Sequence, residues 1–216
     1  MDRPVVDWYF DVISPFAYLA AERLGEVERV AQVRCVPVLF AALLERWGTK
    51  GPAEVEPKRR FTYRYACWAA YRRGIAFKAP PAHPFNPIRL LRLAVAADAG
   101  IETVQQLFRF VWRDGSSSDD SGAWHDLVTR LGITDADAVI ASPDVKTKLR
   151  ANGEQATARG VFGVPTFVTP DGELFWGEDA TDMLLDYLSQ APVFDSDEMR
   201  RADHMPMAAQ RISLAR

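Results

Sequence analysis

The chain has 216 residues, of which 48% are apolar, 25% charged and 11% aromatic, the balance of an ordinary globular protein. This composition excludes disordered, collagen-like and coiled-coil architectures. The 26 basic and 29 acidic residues leave a formal net charge of −3, so no overall positive field favours nucleic acid as a partner.

The N-terminal stretch lacks the basic residues and the clean apolar run of a secretion signal. No apolar run elsewhere approaches the length needed to span a membrane. The sequence therefore predicts a cytoplasmic protein that has no membrane partner.

Cysteine and histidine usage gives no sign of a metal site. Cys35 and Cys67 are far apart and form no CxxC pair, which disfavours both a disulfide scaffold and zinc, and we expect both thiols to be buried. The histidines are isolated, and each is expected to be structural or on the surface. They are His83, His125 and His204. No motif of a zinc protease, a serine hydrolase or a nucleotide-binding enzyme occurs.

The first predicted elements form a βαβ unit. β-Branched and aromatic residues predict a strand at 5–10. Apolar residues at helical spacing then predict one helix from Ser14-Pro15 to about residue 30, and a second strand follows at 33–39. This order predicts a parallel strand pair.

The middle of the chain carries helical patterns and almost no strand signal. The predicted helices lie at 58–73, 87–99, 104–112, 120–131 and 143–158. Strands follow at 166–169 and 174–176, joined by an Asp-Gly turn typical of a hairpin, and a last helix covers 180–188.

This order of elements predicts an α/β protein in which one domain is split by an insertion. The α/β domain comprises residues 1–40 and 160–190, an all-helical insertion domain covers 41–159, and a C-terminal tail of open structure covers 191–216.

Ser14 lies between the first strand and the first helix. Serine at the N-cap and proline at the first helical position are common, so Ser14-Pro15 has a purely structural interpretation. The same geometry also suits a hydroxyl donor that holds a thiolate or another anion beside the helix N-terminus. Capping and catalysis are compatible here.

Val164-Pro165 directly precedes the predicted hairpin. Pro165 is either a simple strand-start residue or part of a cis bond that would aim the backbone of Val164 at a ligand opposite Ser14. The sequence leaves the isomer open.

The helix at 58–73 combines basic and aromatic residues. Lys58-Arg59-Arg60 and Arg64 are typical of a solvated helix face, and the alternative is an electrostatic guide for an anionic substrate such as an aromatic pyruvate. Several aromatic residues either pack in the core or line an apolar pocket. These are Phe61, Tyr65, Trp68 and Phe85.

Several short motifs occur in a fixed order between residues 5 and 188. They are Tyr9-Phe10-Asp11, Ser14-Pro15-Phe16-Ala17-Tyr18, Gly51-Pro52, Pro57-Lys58, His83-Pro84-Phe85-Asn86-Pro87, Arg92-Leu93-Ala94, Phe162-Gly163-Val164-Pro165-Thr166 and Trp176-Gly177-Glu178-Asp179. Together they resemble the thioredoxin-like superfamily, in the DsbA-like branch that holds 2-hydroxychromene-2-carboxylate isomerases and kappa-class glutathione transferases. The resemblance implies a thioredoxin-like fold with a large helical insertion.

The resemblance also implies the kind of chemistry at the helix start. Disulfide oxidoreductases of the superfamily carry Cys-Pro-x-Cys there, whereas this chain has Ser14-Pro15-Phe16-Ala17, so dithiol redox chemistry is disfavoured. The sulfur would come from glutathione as a cofactor. Ser14 would be the catalytic residue, donating a hydrogen bond that favours the ionised thiol rather than acting as a nucleophile.

The remaining cofactor-binding residues follow from the same resemblance. The peptide backbone of glutathione would lie along Val164 and Pro165, and its γ-glutamyl end near Glu178 and Asp179, where Asp179 can accept from the ammonium group. Without the family context, Glu178 and Asp179 are an N-capping pair. The implied set also contains Phe16, Thr49 and Lys50. Relatives often have Gly-Asn where this chain has Gly-Thr-Lys, so an amide contact there is replaced by a hydroxyl or lost.

The predicted function is that of a glutathione-dependent isomerase. It would convert 2-hydroxychromene-2-carboxylate, or a similar intermediate of aromatic catabolism, to trans-o-hydroxybenzylidenepyruvate by reversible thiolate addition. The alternatives are a kappa-like transferase that conjugates electrophiles and a non-catalytic thioredoxin-like binding module. The expected partners are a small aromatic carboxylate substrate and, as in related chains, a second copy in a homodimer.

Overall fold

A four-stranded sheet with the order β2-β1-β3-β4 forms the centre of the computed structural model, which describes residues 3–209. β1 pairs in parallel with β2 and antiparallel with β3, which pairs antiparallel with β4. The predicted parallel pair and hairpin are therefore confirmed. The strands are β1 (Val5–Phe10), β2 (Gln32–Pro37), β3 (Thr166–Val168) and β4 (Leu174–Trp176).

Helices cover most of the remaining described chain. They are α1 (Pro15–Ala21), α2 (Leu24–Glu28), α3 (Phe40–Trp47), α4 (Glu56–Arg73), α5 (Ile88–Ala96), α6 (Ile101–Trp112), α7 (Ser121–Arg130), α8 (Ala136–Ala141), α9 (Pro143–Ala158), α10 (Ala180–Leu188) and α11 (Asp197–Asp203). Short 3₁₀ helices lie at Pro52–Glu54 and Pro192–Asp195. Within the described residues, no helix has both the length and the apolar character needed to cross a membrane.

The first helical segment differs from its prediction, because the single helix expected from residue 15 to about 30 is divided into α1 and α2. The N–H of Arg23 bonds the carbonyl of Ala20 at 2.9 Å, which tightens the last turn of α1. The N–H of Glu26 bonds the carbonyl of Arg23 at 2.8 Å and starts a new turn. The break lets Leu24 and Val27 of α2 enter the core as well as the apolar face of α1.

The two cysteines have different environments. Cys35 on β2 is buried as expected, and burial raises the pKa of its thiol to about 12. The prediction was wrong for Cys67, which is exposed. The buried face of α4 is formed by Ala66, Ala69 and Ala70, and Cys67 points away from that face because neighbouring helical residues are about 100° apart.

The sheet is covered on both faces by residues from the predicted helical insertion. Trp8 and Phe10 of β1 contact Phe108 of α6, with ring centroids 5.9 and 5.6 Å apart. The opposite face of β1 carries Tyr9, which belongs to a second apolar cluster with Ala156 of α9. Burial on both faces accounts for the nearly continuous apolar character of this strand. The domain boundaries at residues 41 and 159 stay a prediction.

A buried carboxylate joins the strands to the end of α9. Asp7 lies directly opposite Arg34 in the parallel register, and Arg34 Nη2 donates to Asp7 Oδ2 at 2.7 Å. Arg159 donates to the same oxygen of Asp7 and to the carbonyl of Thr169 at 2.9 Å. Asp7 is therefore compensated by two guanidinium groups on different elements.

We expect Arg159→Ala to lower the free energy of unfolding more than Arg34→Ala. The side chain of Arg159 is 26% exposed and that of Arg34 is 61% exposed, so water screens the second pair more strongly. The expected losses are about 2 kcal/mol for Arg159 and below about 1 kcal/mol for Arg34. Urea denaturation of both variants measures the difference, and equal losses would contradict it.

Candidate functional site

The register of the sheet brings three predicted segments to one end of the fold. β1 runs antiparallel to β3 with Tyr9 opposite Thr166, so the chain that leaves β1 towards Ser14 starts beside the chain that enters β3. The N–H of Gly177 donates to the carbonyl of Pro165 at 2.9 Å, which adds the segment after β4. Ser14, Val164-Pro165 and Glu178-Asp179 therefore follow or precede strands at the same edge.

Ser14 caps α1, so the structural interpretation of this residue is confirmed. Its backbone is extended, and Ser14 Oγ accepts from the N–H of Ala17 at 3.2 Å, with Pro15 at the first helical position. This contact uses a lone pair of the oxygen and leaves the hydroxyl hydrogen available, because among the described residues Ser14 Oγ has no acceptor. The buried hydroxyl can therefore cap the helix and donate to a ligand at once.

Asp11 holds the loop before Ser14, and the sequence analysis did not single it out. Its carboxylate accepts from the N–H of Ile13 at 3.0 Å and from the N–H of Phe40, the first residue of α3, at 2.8 Å. Complete burial raises the pKa of Asp11 to about 7, although these two donors oppose the shift. Its motif Tyr9-Phe10-Asp11 was a signal, but the contact with α3 is visible only in the fold.

His83 supports the same loop from the other side. His83 Nε2 lies 2.8 Å from the carbonyl of Ile13, so it must carry the proton. His83 Nδ1 then accepts from the hydroxyl of Tyr63 at 2.7 Å. Burial lowers the pKa of His83, which favours this neutral form. Both ring nitrogens are used in packing the loop, in agreement with the structural role expected for this histidine.

The Val164–Pro165 peptide bond is cis, which decides between the two interpretations of this proline. The hydroxyl of Thr166 donates to the carbonyl of Gly163 at 2.8 Å, and a Cβ on Gly163 would lie 2.5 Å from Nε1 of Trp176. Only glycine therefore fits before Val164. Within residues 3–209, neither the N–H nor the C=O of Val164 has a hydrogen-bond partner, so both are available to an extended ligand.

Glu178 and Asp179 lie in different environments at the start of α10. Glu178 is buried, which raises the pKa of its carboxyl, and Arg73 Nη2 lies 2.9 Å from Glu178 Oε2. Neither oxygen receives a hydrogen bond of good geometry within the described chain. Asp179 is exposed and forms no side-chain capping bond, so the N-capping interpretation was wrong for this residue. Its αR backbone accounts for the missing bond, since a capping side chain needs an extended N-cap residue.

Phe16, Thr49 and Lys50 complete the predicted set. Phe16 is half-buried, and its ring faces Tyr65 of α4 at a centroid distance of 5.9 Å. Thr49 and Lys50 are exposed beyond α3, which is about 12 Å long and leads away from the end of β2. No hydrogen bond of the described chain joins their side chains to the other predicted residues. Trp47 Nε1 reaches the carbonyl of Val161 at 3.0 Å and is the nearest link between α3 and this loop.

These features define a thioredoxin-like protein of the DsbA type that has serine in place of the redox cysteine. Residues 5–189 match the family model of the DSBA-like thioredoxin domain, and the chain belongs to this family. No cluster of three or more His, Cys, Asp or Glu side chains suited to a metal ion is present in the part of the chain that the structure describes.

Similar proteins carry two kinds of name. The chain is 32% identical over 195 residues to a 2-hydroxychromene-2-carboxylate isomerase of Sphingobium xenophagum, with 85% of this chain and 97% of the relative covered. It is 24% identical over 218 residues to glutathione S-transferase kappa 2 of Caenorhabditis elegans, with 88% and 93% covered. The family resemblance inferred from the motifs is thus confirmed, and these names support the prediction of an isomerase enzyme.

A solved structure of a 2-hydroxychromene-2-carboxylate isomerase superimposes with a TM-score of 0.77 at 24% identity. The alignment covers 93% of this chain and 98% of that protein. At this identity the similarity concerns the fold alone, and it confirms the predicted thioredoxin-like fold of DsbA type.

Asp11 predicts a pH dependence of stability. Because the folded pKa is about 7 and the ordinary value is 3.8, the folded protein binds more protons than the unfolded chain between these pH values. The stabilisation is complete below about pH 4 and lost as the pH rises to about 7. Compared with Asp11→Asn, the native protein should therefore lose up to about 1.4 kcal/mol of unfolding free energy per pH unit in this window.

Urea denaturation of both proteins between pH 4 and 7.5 measures this effect. Glu178 also has a raised pKa but is present in both proteins, so its contribution cancels in the difference. Unfolding free energies that run parallel over the whole range would show that Asp11 is ionised throughout.

Proposed function

We propose that this protein is a glutathione-dependent isomerase that converts 2-hydroxychromene-2-carboxylate, or a similar intermediate of aromatic catabolism, to trans-o-hydroxybenzylidenepyruvate. The observation that carries the proposal is the buried hydroxyl of Ser14, which keeps its hydrogen free at the helix start where disulfide oxidoreductases have a cysteine. A cytoplasmic location and a homodimer belong to the same proposal.

The residues at this end of the sheet fit glutathione. The hydroxyl of Ser14 suits the thiol, the unpaired N–H and C=O of Val164 suit a peptide backbone, and the carboxylates of Glu178 and Asp179 suit an ammonium group. When bound, glutathione supplies a thiolate that can add reversibly to a conjugated double bond. Phe16, Pro165, Thr49 and Lys50 complete the proposed binding set.

Ser14 acts by donating a hydrogen bond to the charged form of the thiol. A donor to an anion stabilises the ionised state and lowers the pKa of the group that it contacts. Because Ser14 is buried, little water competes for this hydrogen bond. The capping bond from Ala17 fixes the oxygen before the ligand arrives, so the donor needs little reorganisation.

Val164 orients the ligand through its backbone. An extended peptide can pair with a free N–H and C=O as an added strand does. The bond from Gly177 to Pro165 and the packing of Gly163 against Trp176 hold this segment in place. A fixed ligand backbone presents the sulfur in one geometry, which lowers the entropic cost of the reaction.

A kappa-like glutathione transferase is the second candidate, and the similarity to glutathione S-transferase kappa 2 favours it. Both activities need the same hydroxyl and the same backbone groups. They differ in whether the product keeps the sulfur, which product analysis decides. A non-catalytic binding module would bind glutathione without turning over any electrophile.

Ser14→Ala tests the proposal. We expect isomerisation of 2-hydroxychromene-2-carboxylate to fall by about a hundredfold or more, because the thiolate loses its buried donor. Ultraviolet absorbance of the bound thiolate should show a raised thiol pKa, and Asp179→Asn should weaken glutathione binding by about tenfold. Activity assays and isothermal titration calorimetry measure these changes.

Ser142→Ala is a matched control for the loss of a helix cap. Ser142 Oγ accepts from the N–H of Val145 at 3.3 Å at the start of α9, so its removal costs a comparable amount, about 1 kcal/mol of stability. This control should leave activity and the thiol pKa unchanged. Unchanged activity in Ser14→Ala would remove Ser14 from the mechanism, and a product that retains glutathione would select the transferase.

A further inference from the structure

The outward face of α4 carries a row of exposed aromatic side chains. Phe61 is 69% exposed and Trp68 is 54% exposed, although large apolar residues are mostly buried elsewhere in the described chain. Phe61, Tyr65 and Trp68 are spaced by four and three residues, which places them on one helix face. Their ring centroids follow each other at 5.9 and 5.6 Å. An exposed, contiguous apolar patch of this kind marks a binding surface.

This aromatic row starts next to the candidate site. Tyr65 contacts Phe16, which is the second residue after Ser14 in the first turn of α1. The tyrosine and phenylalanine rings are tilted by 57° at a centroid distance of 5.9 Å. A molecule that covers the row therefore approaches the part of α1 that begins at Ser14.

The same face forms an open groove with a volume of about 590 Å³. This volume lies in the range of small-molecule sites. The lining residues are Pro57, Arg60, Phe61, Arg64, Tyr65 and Trp68. The groove therefore combines apolar rings with two guanidinium groups.

The charge of the groove decides what can occupy it. Arg60 and Arg64 have no carboxylate within 4 Å in the described residues, whereas Arg73 on the same helix is paired with Glu178. Two unpaired guanidinium groups beside aromatic rings attract an anion that also has an apolar part. A second copy of this chain that docked through the same face would bring like charges together, which disfavours a symmetric pair here.

We infer that the α4 groove binds the aromatic carboxylate substrate, with the ring of the substrate on Phe61, Tyr65 and Trp68 and its carboxylate on Arg60 and Arg64. Planar guanidinium groups can hold a carboxylate in bidentate geometry, and offset aromatic stacking orients the ring. The inference rests on the proposed function for the identity of the reaction. The binding of a small aromatic anion can be tested without the reaction.

The test uses 3-phenylpropionate, which has an aromatic ring and a carboxylate but no reactive double bond, and its uncharged amide. We expect isothermal titration to show saturable binding of the acid, weakened about tenfold or more in the double variant Arg60→Gln/Arg64→Gln. Binding of the amide should not change in this variant. Trp68→Leu should weaken both ligands, because it removes a ring from the groove.

Arg59→Gln is the matched control, since Arg59 is an exposed arginine of α4 that does not line the groove. It removes the same charge one residue away and should leave the affinity for the acid within about twofold, because exposed charges contribute little. Equal losses in Arg59→Gln and the double variant would show a general charge effect and overturn the inference. Absence of binding by the acid would also overturn it.

A glutathione titration of the same proteins separates this inference from the proposed function. If phenylpropionate binding depends on Arg60 and Arg64 but glutathione does not bind, the proposed function fails and the groove stands. If glutathione binds and the double variant isomerises the substrate with an unchanged KM, the groove fails and the proposed function stands.

Discussion

The antiparallel pairing of β1 with β3 is the constraint on which the candidate site depends. It joins segments from opposite ends of the chain, with Tyr9 opposite Thr166, and so aligns the exit from β1 with the entrance to β3. A shift of one residue would turn Trp8 and Tyr9 to the wrong faces, and both faces of β1 are buried. Core packing therefore fixes the register, and the register places Ser14 near Val164.

The loop between β1 and Ser14 is held by elements that lie far away in the sequence. Asp11 binds the N–H of Phe40, His83 binds the carbonyl of Ile13, and Nε1 of Trp112 donates to the carbonyl of Val12 at 2.8 Å. Each buried polar group of the loop thereby finds a partner. Such a loop has one favoured conformation, which is what a pre-organised donor at Ser14 requires.

Much of this arrangement could be predicted from sequence, because it depends on local patterns. The strand at β1, the hairpin and the Ser14-Pro15 helix start follow from residue spacing and capping preferences. The division between α1 and α2, the exposure of Cys67 and the role of Asp11 depend on what each residue meets in the folded chain. Asp179 shows the same limit, since its position suggested a cap but its backbone conformation does not allow one.

Helix α4 connects the two halves of the candidate site. Tyr65 contacts Phe16 near Ser14, Tyr63 supports His83, and Arg73 lies beside the buried carboxylate of Glu178. The buried alanines of α4 fix its orientation against the core, so these contacts cannot shift independently. The exposed aromatic face of the same helix is therefore held in a constant position relative to Ser14. A substrate bound on one rigid helix would meet a cofactor held by the sheet edge with little loss of further freedom.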